Sequence, residues 1–196
     1  MFEKHRGKIL FLAGMVAALA AGWRGFPVVL YQQVPQPVDF SHRVHAEKAG
    51  VKCEDCHFLR EDGTFTGVPV LDKCSGCHAQ AMGATLKEKN FIARYVTPNR
   101  EIPWKVYSRQ PMNVWFSHAP HIKLAKFECK ECHGAHGNTD KLRPYEQNRI
   151  SGYSRDIWGQ SIARVGFEPR RTMKMDDCAD CHRKHGREHS CMECHK

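Results

Sequence analysis

The chain has 196 residues, 30 of them Lys or Arg and 21 Asp or Glu, giving a formal charge of +9, a pI near 9.1 and a mean hydropathy of −0.56. So basic a chain ordinarily points to nucleic acid or an anionic membrane, but no nucleic-acid-binding motif accompanies the charge. So polar a chain also buries too little side-chain surface to build an ordinary hydrophobic core.

The N-terminal stretch "MFEKHRGKILFLAGMVAALAAGWRGFPVVLYQQ" places Lys4, Arg6 and Lys8 before an apolar run from Ile9 to Trp23. The pattern fits a secretory signal with "AALAAG" as its cleavage site, or an uncleaved anchor. With Arg24 snorkelling and "FPVVLY" added, the run approaches the roughly 20 residues that a span needs. Because the chain begins at Met1 with this segment in place, the expectation is an anchor over residues 1–31, with its N-terminus cytoplasmic by the positive-inside rule. The rest then lies on the periplasmic side of the inner (cytoplasmic) membrane. Residues 32–39 carry Pro35 and Pro37, which disfavour helix, and read as an extended linker to one domain over residues 40–196.

That domain opens on an internal repeat. "FSHRVHAEKAGVKCEDCH" (40–57) matches "FSHAPHIKLAKFECKECH" (116–133) without a gap, and in each the first histidine lies 11 residues before the first cysteine. Duplication of one unit is the simplest account.

All ten cysteines fall in CxxC pairs: Cys53 with Cys56, Cys74 with Cys77, Cys129 with Cys132, Cys178 with Cys181 and Cys191 with Cys194. A histidine follows each pair, as His57, His78, His133, His182 and His195. With 13 histidines in the chain, five such coincidences would arise by chance on the order of once in a million, and CxxCH is the attachment signature of c-type haem. Two thiols at this spacing can add to the two vinyl groups on one porphyrin edge, which sets the next side chain beneath the iron as an axial imidazole. Zinc would use CxxC pairs two at a time in tetrahedral sites, and five pairs with five histidines do not divide that way. A redox-active dithiol has no use for a histidine after every pair.

At least five covalent haems c are therefore expected, about one per 31 residues of the domain, and their porphyrin faces can supply the apolar core that the side chains lack. The expected fold is a multihaem cytochrome c: short helices and loops wrapped around haems, with little or no sheet, behind one N-terminal transmembrane helix. Ten propionate charges turn the formal +9 into about −1 with ferrous iron, or about +4 when all five irons are ferric, so many Lys and Arg read as counter-charges and some as steering groups for a redox partner.

Seven further histidines compete for five distal positions: His42, His45, His118, His121, His136, His185 and His189; His5 precedes the apolar run of the anchor. Two imidazoles on one iron lie on opposite faces of the ring. Histidines three apart on one helical turn therefore cannot share an iron, so His42 and His45 go to different haems, as do His118 and His121. By the same reasoning His136 does not cap the haem of His133. The ordinary alternative for any of these is a surface or propionate-bonding imidazole. Met82, Met112, Met173, Met175 and Met192 are candidate sixth ligands that would raise a haem's potential, although such residues more often pack. The two surplus histidines also leave room for a sixth, non-covalent haem.

"FSHRVHAEKAGVKCEDCH", "CSGCH", "REIPWKVYSRQPMNVWFSHAPHIK" and "CKECHG" together resemble the multihaem cytochrome c subunit (QrcA-type) of the menaquinone reductase complex Qrc of sulfate reducers. They also resemble its pentahaem relative in alternative complex III. The resemblance covers most of residues 38–160. The FSHxxH arrangement is similar to that of class III cytochromes c, where the first histidine caps the haem of the next CxxCH and the second caps another haem. It implies His42 opposite His57 and His118 opposite His133, with His45 and His121 reaching elsewhere. The family also implies an anchored periplasmic haem wire attached to molybdopterin-enzyme-like, iron–sulfur and polytopic quinone-binding subunits. One departure is the insertion-like stretch between Cys132 and Cys178, longer than the alternative complex III branch leads one to expect. It and residues 91–115 are rich in aromatics and arginines, a composition favoured at interfaces; ordered loops covering haem edges are the plainer alternative.

The resulting expectation is a non-catalytic electron-transfer subunit, carrying electrons from a soluble periplasmic low-potential multihaem cytochrome c toward menaquinone. Three alternatives are an electron-accepting subunit of a quinol-oxidising complex, a self-contained anchored quinol dehydrogenase, and a reductase with one five-coordinate haem. No CxxCK variant supports the last. Because the side chains alone make so small a core, the chain expressed without haem attachment should show no cooperative thermal transition by circular dichroism; a sharp transition in that form would refute a haem-built core.

Overall fold

A computed structural model of the chain describes residues 3–106, 113–152, 175–187 and 191–195. His189, Met112, Met173 and most of the insertion-like stretch lie outside the described residues.

The first element is a long helix, α1 (Glu3–Leu30). Its side chains from His5 to Phe26 are exposed. Among the described residues it is the one helix long and apolar enough to cross a membrane, over His5–Leu30.

α1 runs directly into a short strand, β1 (Tyr31–Val34). Part of the stretch expected to be an extended linker is thus a strand, paired antiparallel with β2 (Tyr145–Asn148) so that Tyr31 faces Asn148 and Val34 faces Tyr145. Pro35 follows immediately and, lacking an N–H, ends the ladder. Gln36 then pins the chain by two bonds to Lys105: its Nε2 donates to the Lys105 carbonyl (2.9 Å) and its Oε1 accepts from the Lys105 N–H (3.1 Å).

The remaining elements are short. They are α2 (His42–Ala49), α3 (Cys53–Cys56), α4 (Leu71–His78), α5 (Leu86–Phe91), α6 (Cys129–His133), α7 (Met175–Lys184) and α8 (Cys191–Cys194). π-helical turns cover Ile92–Val96 and Pro120–Leu124, and a 3₁₀ segment covers Gly134–Asn138. The architecture is the expected one of short helices and loops, with a single two-stranded ribbon as its described sheet.

Local chemistry sets the ends of these helices. Ser41 caps α2, its hydroxyl accepting from the Val44 N–H at 3.1 Å, and Gly50 closes the helix in the left-handed region at φ +67°, where a β-carbon would be strained. Thr85 caps α5 by accepting from the Glu88 N–H. Each CxxC lies in a helix of its own, and in the first four the two thiols share one turn beside the histidine that follows.

Side-chain packing is sparse. Among the described residues the buried hydrophobics are Leu71, Tyr95, Ile102 and Tyr145. The first three form one cluster, joined by Val38, Cys74, Phe91, Val96 and Trp104. This cluster holds α4, and with it Cys74, Cys77 and His78, against the π-helical turn at Ile92–Val96. The Glu101 carboxylate adds a tie by accepting from the Leu71 N–H at 3.1 Å. Leu71 is only 2% exposed, so Leu71→Ala should cost about 2–5 kcal/mol and lower the thermal midpoint of the haem-loaded protein. An unchanged midpoint would mean that α4 is held by something other than this cluster.

Candidate haem-binding site

Both copies of FSHxxH fold into the same small device. In the first, Phe40 stands edge-on to His42 (centroids 4.8 Å apart, 85°) and lies nearly parallel to His45 (4.3 Å, 25°). In the second, Phe116 stands edge-on to His118 (4.8 Å, 85°) and nearly parallel to His121 (4.8 Å, 28°). One phenylalanine therefore orients two imidazoles in different directions, as the trans-ligand argument requires of them. The serine of each copy completes the device through its carbonyl, which accepts from His45 Nδ1 at 2.7 Å in one and from His121 Nδ1 at 2.8 Å in the other.

Two of the CxxCH histidines are held in the same way. His57 Nδ1 donates to the Gly67 carbonyl at 2.6 Å, and His78 Nδ1 pairs with the Glu88 carboxylate at 2.9 Å. A carbonyl can only accept, so these bonds fix the proton on Nδ1 and leave the Nε2 lone pair free for a metal. His42, by contrast, has its Nδ1 buried without a partner.

Three pairs of imidazoles, each joining a CxxCH histidine to one outside the motif, lie at a distinctive spacing. Ring centroids are 6.0 Å apart for His45 and His78, 6.4 Å for His118 and His133, and 6.1 Å for His121 and His182. A metal–imidazole bond of about 2.0 Å, plus about 1 Å from nitrogen to ring centre, sets two trans imidazoles about 6 Å apart across one iron. The residues therefore fit the group that the CxxCH motifs imply. For the fourth pair, His57 lies near enough to His42 to disfavour its charging, and burial disfavours it more.

Burial, reinforced by neighbouring imidazoles, pushes His42 and His118 down to about 4. Both stay neutral near pH 7, in the form that bonds a metal.

The nine cysteines described at side-chain level are all free thiols. Cys53, Cys77 and Cys129 are exposed, whereas Cys56, Cys74, Cys132, Cys178, Cys181 and Cys194 are half-buried. Burial raises the thiols of Cys56, Cys74, Cys129 and Cys132, and carries Cys178 up to about 11. Cys77 lies close enough to Cys56 to disfavour its ionisation further, and Cys181 stands in the same relation to Cys132. The first and second motifs are thus neighbours in space, as are the third and fourth. Among the described residues no three His, Cys, Asp or Glu converge as direct ligands of one metal ion. In a CxxCH site the thiols bond porphyrin carbons and only the histidine meets the iron, so these motifs do not build a cluster of three direct ligands.

The other candidates are placed as follows. His136 sits in the 3₁₀ segment, close enough to influence both His42 and His133. His185 meets Phe127 edge-on at 5.3 Å. His195 pairs with Val114 in an isolated antiparallel bridge, beside which the Trp115 N–H donates to the Cys194 carbonyl at 2.6 Å. Met82, Met175 and Met192 are all strongly exposed.

Two contributors escaped the sequence reading. Glu88 does more than support its helix, since its carboxylate gathers the Met82 and Gly83 N–H groups as well as His78. The signal "TLKE" marks a helix start but does not say that its Glu reaches a haem histidine. Phe65 stacks on His118 at 3.9 Å and lies 6.4 Å from His57, and no motif contains it.

Comparison with known proteins agrees with this geometry. Residues 27–103 match the class III cytochrome c family. The menaquinone reductase multiheme cytochrome c subunit of Nitratidesulfovibrio vulgaris is 37% identical over 205 residues, covering 97% of this chain and 90% of that protein. With CxxCH cysteines, paired imidazoles and near full-length similarity together, the chain belongs to the family of menaquinone reductase multihaem cytochrome c subunits.

Proposed function

We propose that the chain relays electrons through five covalently held, bis-histidine haems, from a soluble periplasmic low-potential cytochrome c toward menaquinone bound in a membrane partner. The observation that carries this reading is the set of three histidine pairs at 6.0–6.4 Å, each joining a CxxCH imidazole to one outside the motif. Haem c, when bound, supplies a one-electron ferric/ferrous couple.

The chain's own residues set how that couple behaves. The proposed thioether anchors are Cys53 with Cys56, Cys74 with Cys77, Cys129 with Cys132, Cys178 with Cys181 and Cys191 with Cys194. Their proximal ligands are His57, His78, His133, His182 and His195. His42, His45, His118 and His121 are the proposed distal ligands opposite His57, His78, His133 and His182. An imidazole on each face leaves no open position for a substrate, which argues for relay rather than bond chemistry. The carbonyls of Ser41, Ser117 and Gly67 and the Glu88 carboxylate make the imidazoles they hold more basic, favouring the ferric state and a low potential.

In the same reading α1 anchors the chain in the cytoplasmic membrane and holds residues 40–196 on the periplasmic face. Molybdopterin-enzyme-like, iron–sulfur and polytopic quinone-binding subunits are the proposed companions. The exposed apolar surface of α1, from Ile9 to Val29, gives both lipid and a membrane subunit something to cover.

Two measurements test this. Potentiometric titration of haem absorbance in the intact, detergent-solubilised complex should place most potentials below the menaquinone couple. A substantial population well above it would reverse the flow and make this chain the acceptor arm of a quinol-oxidising complex. Second, His118→Ala should convert one haem, that of Cys129 and Cys132, from low-spin to high-spin or repacked coordination; five unchanged low-spin haems would refute the axial assignment.

A further inference from the structure

The five CxxCH motifs occur in one order along the chain, but their histidines are brought together in another. Phe40 touches both His42 and His45. In the axial pairing proposed above, these serve the first site (His57) and the second (His78), so the first repeat splices those two sites together. Phe116 does the same for the third site (His133) and the fourth (His182) through His118 and His121. The thiols agree, since Cys77 of the second motif lies near Cys56 of the first, and Cys181 of the fourth near Cys132 of the third.

The two spliced pairs then meet through their first members. Phe65, on the strand-like arm that follows His57, stacks directly on His118 at 3.9 Å. Cys53 and Cys129, equivalent positions of the two repeats, lie close enough for Cys53 to disfavour ionisation of the Cys129 thiol. Like beside like is the signature of a two-fold relation, here an internal one between repeats of one chain. The fifth motif joins at the far side. His195 and Cys194 are bound to Val114 and Trp115, which run into Phe116, and the thiol of Cys194 lies near that of Cys178 in the fourth motif. At the opposite end, the described ring contacts of His78 are with His45 and Phe91, the latter a residue of the small side-chain cluster.

We propose that the five haem sites form a single file in the order second, first, third, fourth, fifth motif, with Cys74–His78 at one end and Cys191–His195 at the other. This rests on the bis-histidine reading above. Its consequence is that the first haem along the chain is internal, and that the second is a terminus where electrons pass to or from a partner. That terminus is also the one tied to the membrane helix, since Val38 packs in the cluster beneath it and Gln36 is bonded to Lys105. The head-to-head junction lets one duplicated dihaem unit become a continuous four-haem path without any new linking motif.

Locating the irons in the native, haem-loaded complex by electron cryo-microscopy or iron anomalous scattering tests this directly. The expected result is that the iron at His57 has as its two nearest neighbours those at His78 and His133. The iron at His182 should likewise stand between those at His133 and His195. An iron at His78 flanked on two sides, or one at His57 found at an end, would overturn the order. The same maps judge the axial reading separately: distal ligands other than those assigned would sink that reading even where the file stands, and correct ligands in a different file would sink only the order.

Discussion

Everything in this chain depends on imidazole nitrogens held at a fixed separation. Among the described residues, a side-chain cluster of three buried residues is too small to organise the fold around it. What the protein positions instead is a set of rings, several restrained by a hydrogen bond at Nδ1 or by an aromatic face, and His45 and His121 by both. The two restraints act on different degrees of freedom. The carbonyl bond fixes which nitrogen is free and how the ring is turned, while the phenylalanine limits where the ring sits. Together they place Nε2 where an iron can be met from both sides, so coordination need not reorganise the backbone.

The repeat shows how economically this is done. In six residues, FSHxxH contains a wedge, a serine hydroxyl, a backbone acceptor and two candidate ligands. The serine hydroxyl of the first copy holds the helix start, while its carbonyl, one turn below His45, takes the Nδ1 hydrogen bond. Helical spacing then does the rest, since two histidines three apart diverge enough for one wedge to meet the first edge-on and the second face-on. A substitution of either phenylalanine would disturb two imidazoles at once.

The cofactor class was legible in the sequence, and so was the reason to expect each histidine pair to be split, because both follow from local chemistry. CxxCH spacing is a property of five consecutive residues, and the trans requirement is a property of iron. The partners of His45 and His121 were not legible, because they depend on how α4 and α7 are brought back to the repeats. The approach of Cys77 to Cys56 and of Cys181 to Cys132 was hidden for the same reason. For α4 that return runs through Leu71, Tyr95 and Ile102 and through Glu101, residues with no mark in the sequence to distinguish them from other apolar and acidic positions. Phe65 was invisible for a similar reason: a lone aromatic in a polar hairpin gains meaning only when another repeat is folded against it. The strand at Tyr31–Val34 was hidden by the prolines that follow, which end the pairing rather than prevent it.

The same separation of local from long-range information explains why the order of sites in space departs from their order in the chain. Duplication copies a unit with its internal splice intact, so the first and second sites, and the third and fourth, inherit their adjacency. What duplication leaves open is how two identical units meet. Meeting through equivalent surfaces needs only one self-complementary patch, whereas head-to-tail meeting needs two patches shaped for each other. The approach of Cys53 to Cys129, equivalent positions of the two copies, belongs to the first kind, and the packing of Phe65 on His118 fastens the same junction from one side. A chain that arose by copying a dihaem unit therefore reaches a continuous path most directly by turning the second copy to face the first. That leaves the second motif at one end of the path, beside the segment that emerges from α1.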